Sequence, residues 1–130
     1  MEKNKLHDEV NIAVPAREAM SKVVRMATTA VASRASLSID DADDLNTAVE
    51  ELFRSFLSQH TAGEVDFCVD YIFHDDRLEI AAHGCILHNG HGKVGRYSRF
   101  LLESLADSVR EVTNPDGGLD VVLVKNLPGS

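Results

Sequence analysis

The chain has 130 residues and a formal charge of −8, from 21 acidic and 13 basic side chains. This length is close to the commonest domain size, so we expect one soluble domain over residues 1–130 with one hydrophobic core. The negative charge would repel phosphate backbones and anionic lipids, which argues against nucleic acids and membrane surfaces as partners. A protein or a small ligand is the better expectation.

The cellular location is predicted from what the chain lacks. No apolar run approaches the ~20 residues that cross a bilayer, and the first residues lead into no signal-peptide core. Two cysteines, Cys68 and Cys85, are too few for a disulfide framework and suit a reducing compartment. The sequence therefore predicts a cytoplasmic protein.

The first predicted element is a half-buried strand, in which Val10, Ile12 and Val14 alternate with polar or small residues until Pro15 ends it. A helix is predicted next, from Arg17 to about Ser33, because its apolar residues recur at helical spacing. Those residues are Met20, Val23, Val24, Ala27, Ala30 and Val31.

The most strongly patterned segment runs from Asp40 to Gln59 and predicts a second helix, with a cap formed by Ser38 and Asp41. Its buried stripe consists of Leu45, Ala48, Val49, Leu52, Phe53, Phe56 and Leu57.

One carboxylate of this helix is the first candidate site residue. A projection at 100° per residue places Asp44, Glu51 and Ser55 along the edge of the stripe, where a helix could border a cleft. The alternative for Glu51 is a solvated surface carboxylate, which the nearby Arg54 and the many acidic neighbours support. Both interpretations of Glu51 stay open at this point.

The second half of the chain begins with a predicted antiparallel hairpin, because Val65 to Tyr71 and Leu78 to Ala82 alternate as strands. Residues Gly84 to Tyr97 predict a loop, and Ser98 to about Val112 a third helix. Leu119 to Val124 predicts a closing strand. The fold class expected is α+β, a two-layer sandwich in which helices cover one face of a mixed, mainly antiparallel sheet.

This order of elements resembles the anti-sigma-factor serine kinases, which have the histidine-kinase-like ATPase fold. Ala48, Val49 and Glu51 match the family's A-V-x-E-x-x-x-N run, in which Glu is catalytic and Asn binds magnesium. The resemblance spans nearly the whole chain, from the opening Ile12–Ala16 through the hairpin Asp76–Ile80 to the last strand. It implies a protein kinase that uses ATP and magnesium, with a sigma factor and an anti-sigma-antagonist protein as partners, and it implies a homodimer.

The chain departs from the family at three places in the nucleotide site. Ser55 stands at the position of the magnesium-binding Asn, and Gly84 at that of the Asp that bonds adenine. Arg96 and Ser98 replace glycines of the phosphate lid. A hydroxyl is a shorter ligand than an amide, and glycine has no side-chain acceptor. We therefore expect ATP to bind weakly or not at all.

A separate group of potential ligands lies in the predicted loop. His83, Cys85, His88 and His91 fall within nine residues and could bind zinc or a related metal, although their spacing matches no zinc pattern. Histidines in an exposed loop without metal are the alternative, and they would change charge between about pH 5 and 8.

The sequence thus leaves three functions open. The first is a regulator of the anti-sigma type that acts by binding proteins, with no cofactor or with weak ATP binding. The second is an active kinase that phosphorylates a serine of the antagonist, with Glu51 positioning or activating the hydroxyl. The third is a metal or pH sensor built on the loop from His83 to His91.

Overall fold

The computed structural model describes residues 7–60, 65–84, 92–113, 115 and 118–128, with residues 92–96 described for their backbone only. The elements follow in the order β1 Asp8–Pro15, a 3-10 turn Glu18–Met20, α1 Ser21–Arg34, α2 Ile39–Gln59, β2 Asp66–Phe73, β3 Arg77–His83, α3 Gly92–Leu105, β4 Ser108–Thr113 and β5 Leu119–Asn126. None of the described helices is both long and apolar enough to cross a bilayer.

The strands form one sheet in the order β1-β2-β3-β5-β4. Each pair of neighbouring strands is antiparallel, so the described strands contain no parallel pair and the mixed component that we expected is not found. The α+β sandwich is confirmed. Strand β1 lies at one edge and β4 lies at the other.

The two faces of the sheet follow from alternation along β2. Phe67, Val69 and Tyr71 are fully buried under the helices, whereas Asp66 is exposed and Asp70 partly exposed on the opposite face. Because side chains alternate along a strand, this pattern gives one face to the core and the other to water.

Helix α2 crosses the middle of the helical layer and supplies most of its buried side chains. The Ser38 hydroxyl accepts a hydrogen bond from the Asp41 backbone N–H, so the predicted cap is present. The buried apolar residues of α2 are Leu45, Ala48, Val49, Leu52, Phe53 and Phe56, as the periodicity predicted. Leu57, the last residue of the predicted stripe, is only partly buried.

The third predicted helix was placed too late in the chain. Helix α3 begins at Gly92, inside the predicted loop, and ends at Leu105, and residues Ser108–Thr113 form β4 instead. Val109 fits a helical spacing after Leu105, but this segment pairs with β5 over its whole length. Its Val and Thr residues favour a strand, and sheet pairing therefore overrides the apparent helical period.

The predicted stripe of α1 was too wide. Val24 and Val31 are buried, but Val23 is 45% exposed and Met26 is 66% exposed. Together with the exposed Ala30, Val23 and Met26 form an apolar flank of α1, because residues 23, 26 and 30 share one side of a helix.

Candidate functional site

Glu51 is a buried carboxylate, with only 7% of its surface exposed. The hydroxyl of Ser98 donates a hydrogen bond of 2.5 Å to its Oε2 atom. The Arg54 guanidinium donates one of 2.5 Å to Oε1. The solvated-carboxylate interpretation is therefore wrong, because Arg54 pairs with a side chain that the helical packing has already removed from water.

Apolar packing of α3 against α2 brings Ser98 to Glu51. Leu102 follows Ser98 by one helical turn and is fully buried, so the same side of α3 carries both residues toward α2. A glycine at position 98, as in the resembled family, would leave the space beside Glu51 open. Here the serine hydroxyl occupies it.

A cavity of about 270 Å³ lies next to Glu51, between the 3-10 turn, the start of α1 and the middle of α2. Its lining is Glu18, Ser21, Thr47, Glu50, Glu51, Phe53, Arg54 and Leu57. The Glu51 side chain therefore contacts Ser98 of α3 and also borders this cavity. A carboxylate in this setting can orient or accept a proton from a hydroxyl group.

Gly84 follows β3 and has a backbone φ of +77°, which L side chains rarely adopt. Its N–H donates to the Leu119 carbonyl at 2.9 Å, and its carbonyl lies 3.3 Å from Nε2 of His60. A Cβ atom at this position would stand 3.4 Å from the Phe56 ring. Position 84 therefore presents no side-chain acceptor to an adenine, and an Asp there would be strained.

Ser55 is half-buried near the end of α2, where its hydroxyl accepts a hydrogen bond of 3.2 Å from the Gln59 amide. The side chain of Arg96 lies outside the described residues. With a hydroxyl at position 55, no side-chain acceptor at position 84 and Ser98 hydrogen-bonded to Glu51, the residues present do not fit the ATP and magnesium contacts that the resemblance implies.

His83 lies on the open face of the sheet between two aspartates. Its Nε2 is 2.7 Å from Asp70 Oδ2, and its Nδ1 is 3.1 Å from Asp120 Oδ2. Asp70 also accepts a hydrogen bond of 2.6 Å from the Asn11 amide, so polar contacts cross four strands. Burial lowers the pKa of His83, but the hydrogen bonds and negative charges of Asp70 and Asp120 outweigh it and raise the pKa above 6.5.

The metal hypothesis is not tested by these contacts, because Cys85, His88 and His91 lie outside the described residues. Within the described ranges, no group of three or more His, Cys, Asp or Glu side chains is arranged to hold a metal ion. Both ring nitrogens of His83 already face carboxylates, so a metal would have to replace one of these hydrogen bonds.

The sequence analysis missed Asn46, a buried amide on the stripe of α2. Its Nδ2 donates to the Thr29 hydroxyl of α1 at 2.9 Å, while its Oδ1 has no hydrogen-bond partner among the residues that the structure describes. Its spacing could have predicted this burial, since Asn46 precedes the buried Val49 and Phe53 by one and two helical turns. The role of Asp120 against His83 carried no local signal, because the two residues lie on separate strands.

The comparisons with known proteins agree with this architecture, although no protein-family model matches the chain. The serine-protein kinase RsbW of Listeria monocytogenes is 26% identical over 94% of this chain and 89% of its own length. The RsbW of Listeria innocua matches with the same identity and coverage.

A crystal structure of the RsbU and RsbW domains of a Mycobacterium tuberculosis protein matches 92% of this chain with a TM-score of 0.72 and 16% identity. This chain spans 32% of that longer chain. The likeness confirms the fold that the sequence predicted. The chain is therefore a relative of the RsbW serine-protein kinases and has the fold of an RsbW domain.

Proposed function

We propose that this protein is a regulator of the anti-sigma type, which acts by binding a sigma factor, an anti-sigma-antagonist protein or both, and which binds ATP weakly or not at all. The hydrogen bond from Ser98 to Glu51 is the observation that carries this proposal. The resemblance places a catalytic Glu at position 51. In this chain the hydroxyl of Ser98 is already hydrogen-bonded to that carboxylate.

The energies of the missing contacts argue against tight nucleotide binding. Removal of one hydrogen-bonding partner from a buried site costs about 1–3 kcal/mol, and each 1.4 kcal/mol is about a factor of ten in affinity. Gly84 offers adenine no side-chain acceptor and Ser55 offers magnesium only a hydroxyl, while a ligand that needs Glu51 must also displace Ser98. Together these changes should weaken the binding of ATP with magnesium by several powers of ten.

Two measurements on the same preparation test the proposal. Calorimetric titration with ATP and magnesium should show no binding in the micromolar range, and pull-down with purified sigma factors from the source cell should recover a partner. Glu51→Gln, which keeps the size of the buried side chain, should leave partner binding unchanged. A micromolar dissociation constant for ATP, or loss of the partner in Glu51→Gln, would contradict the proposal.

A matched pair of double variants tests whether ATP binding can be restored. Ser98→Gly combined with Ser55→Asn should strengthen ATP binding, whereas Ser58→Gly combined with Ser55→Asn should not, because Ser58 is exposed on α2. Gly84→Asp is left out of this pair, since its φ of +77° would add backbone strain that opposes any new hydrogen bond to adenine.

An active serine kinase is the second candidate, and the cavity beside Glu51 favours it. A serine hydroxyl of a partner that entered this cavity would meet the carboxylate that orients it or accepts its proton. Incubation of the chain with ATP, magnesium and a candidate antagonist, followed by mass spectrometry, tests this function. Phosphoserine on the antagonist that disappears in Glu51→Gln would establish the kinase and displace our first proposal.

We further propose a cytoplasmic homodimer that binds neither nucleic acid nor membrane. The apolar flank of α1, formed by Val23, Met26 and Ala30, supports a dimer, and so does the position of β1 at the sheet edge. An edge strand presents unpaired backbone groups, and an adjacent apolar helix flank is a surface that a second copy could cover. The formal charge of −8 supports the absence of nucleic acid and anionic lipid.

A further inference from the structure

Several polar side chains of the cavity beside Glu51 make no bond within the described part of the protein. Glu18, Ser21 and Thr47 line this cavity of about 270 Å³. Among the residues that the structure describes, these three side chains have no hydrogen-bond or ion-pair partner. A carboxylate only accepts hydrogen bonds, and a hydroxyl can accept them as well. The cavity therefore offers acceptors to a ligand that carries donors.

The charges around the cavity favour a cation. Three carboxylates line it, those of Glu18, Glu50 and Glu51. Arg54 is paired with Glu51 and neutralises it. Glu50 lies 3.5 Å from Arg25, but both of these side chains are about half exposed. An ion pair that is so exposed contributes little to stability, so Glu50 can exchange Arg25 for another partner.

A metal ion does not suit these carboxylates. Among the side chains that the structure describes, no group of three or more His, Cys, Asp or Glu is arranged to hold one. The carboxylates therefore do not converge on a single point, and a ligand whose donors are spread over several atoms fits them better. The guanidinium of an arginine has five N–H donors in one plane, whereas the ammonium of a lysine is a compact point charge.

A buried acceptor lies in the same cleft between α1 and α2. Asn46 precedes Glu50 by one helical turn and is 5% exposed, and its Oδ1 has no hydrogen-bond partner in the described part of the chain. Asn46 lines a smaller space next to the cavity, and Ser21, Glu50 and Phe53 line both. A buried acceptor without a partner is costly, so a donor that reaches it is bound favourably. This oxygen is a second, independent indication of a ligand that carries donors.

The size and the apolar wall of the cavity suit one long side chain. Its volume of about 270 Å³ lies just below the range of about 300–1,000 Å³ that is usual for drug-sized ligands. Phe53 is 2% exposed and Leu57 is partly buried, and both line the cavity. The methylene groups of an arginine can pack on such an apolar surface while its charged end meets the carboxylates.

We propose that this cavity binds an arginine side chain of a partner protein. The guanidinium pairs with the carboxylates of Glu18 and Glu50 and donates a hydrogen bond to Oδ1 of Asn46. The methylene groups pack against Phe53 and Leu57. This arginine site rests on the proposed function as a protein-binding regulator, and it adds the location and the chemistry of one contact with the partner.

Glu51 is not needed for this contact, because its two oxygens already accept hydrogen bonds from Ser98 and Arg54. The arginine site therefore agrees with unchanged partner binding in Glu51→Gln. It competes with the kinase candidate, in which a serine hydroxyl of the partner would enter the same cavity.

Nuclear magnetic resonance titration of the isotope-labelled chain with short peptides tests the proposal. The peptides are acetylated and amidated alanine peptides whose central residue is arginine, lysine or citrulline, which is neutral and has nearly the shape of arginine. The arginine peptide should shift the backbone amides of Glu18, Ser21 and Thr47 in a saturable manner. The lysine peptide should bind about threefold more weakly and the citrulline peptide about tenfold more weakly, because the first lacks the planar donors and the second lacks the charge.

Variants of the lining residues locate the binding. Glu18→Gln and Glu50→Gln keep the size of each side chain and should each weaken binding of the arginine peptide about fivefold. Asn46→Leu should weaken it as well, without lowering the stability to urea, because it removes an acceptor that has no partner. The control Asp43→Asn removes one charge from an exposed position of α2 outside the cavity and should leave binding unchanged. Circular dichroism should show the same helix content in all four variants.

Four outcomes would overturn the arginine site. They are equal binding of the arginine and citrulline peptides, equal effects of Asp43→Asn and Glu18→Gln, unchanged binding in Asn46→Leu, and shifts of the same amides by magnesium chloride alone. The last would identify a metal site. If a sigma factor is recovered by pull-down while the arginine peptide does not bind, the arginine site fails and the proposed function stands. Saturable binding of the arginine peptide without recovery of any sigma factor or antagonist would contradict the proposed function and leave the arginine site in place.

Discussion

Ser98 and Glu51 stand 47 residues apart in the chain and meet in a buried hydrogen bond of 2.5 Å between α3 and α2. The sequence resemblance implies that Glu51 stands at the position of a catalytic carboxylate and Ser98 at that of a glycine. The Ser98 hydroxyl of α3 thus sets the surroundings of a carboxylate on α2 and joins the two helices.

Removal of the Ser98 hydroxyl should destabilise the protein. In Ser98→Ala the Oε2 atom of Glu51 loses its donor while it stays buried, and we expect a loss of about 1–3 kcal/mol in the free energy of unfolding. Urea denaturation measures the loss. Ser58→Ala, at an exposed serine of α2, should change the free energy by no more than about 0.5 kcal/mol. Equal effects in the two variants would contradict the structural role of Ser98.

A buried contact between two hydroxyl groups links α1 to the sheet. Thr28 Oγ1 and the Tyr71 hydroxyl are 2.8 Å apart, and Thr28 also donates to the Val24 carbonyl. Tyr71→Phe should cost about 0.5–1.5 kcal/mol, because Thr28 keeps its bond to Val24. Thr28→Val should cost more, about 1–3 kcal/mol, because it leaves the Tyr71 hydroxyl buried without a partner. Chemical denaturation of both variants gives the order, and the reverse order would be inconsistent with this geometry.

The contacts of His83 predict that its contribution to stability depends on pH. Its folded-state pKa is raised above 6.5, because the hydrogen bonds and charges of Asp70 and Asp120 outweigh the opposite effect of burial. A raised pKa means that the folded state binds the proton more tightly than the unfolded state. The stabilisation is therefore complete below pH 6.5 and is lost as the pH rises through the folded-state pKa.

The difference in unfolding free energy between the wild type and His83→Gln measures this effect and should be larger at pH 6 than at pH 8.5. These pH values lie about half a unit below and about two units above the ordinary pKa of a histidine. Asp120→Asn removes one of the two carboxylates that face the ring, so it should flatten the pH dependence. A pH-independent difference would show that His83 is not charged between its two aspartates.

The dimer is tested by two adjacent valines of α1 that face different ways. Val24 is 2% exposed and Val23 is 45% exposed. Val24→Asp should unfold the chain, because it buries an unpaired charge in the core. Val23→Asp should keep the fold and give a monomer of 14.2 kDa in light scattering. A wild-type monomer, or a dimer that survives both Val23→Asp and Met26→Asp, would exclude the α1 flank as the interface.

Helix α2 and strands β1, β2 and β3 were predictable because a single stretch of chain contains each pattern. The apolar stripe of α2 recurs at helical spacing, and β2 alternates buried residues with Asp66, Cys68 and Asp70. In such segments the periodicity itself states which face is buried. Strand β4 was missed because Val109 suits both periods, and its pairing with β5 decided between them.

In the candidate site, too, some features were predictable from the sequence and others depended on the tertiary structure. The sequence by itself placed Glu51 at the edge of an apolar stripe, and its resemblance to a known family implied that Ser55, Gly84 and Ser98 stand at substituted positions. Only the tertiary structure decided that Glu51 is buried, that Ser98 is its partner and that His83 lies between Asp70 and Asp120. Periodicity reports the orientation of a side chain on its own element, whereas a contact between distant residues depends on how the elements pack, and apolar burial over the whole core sets that packing.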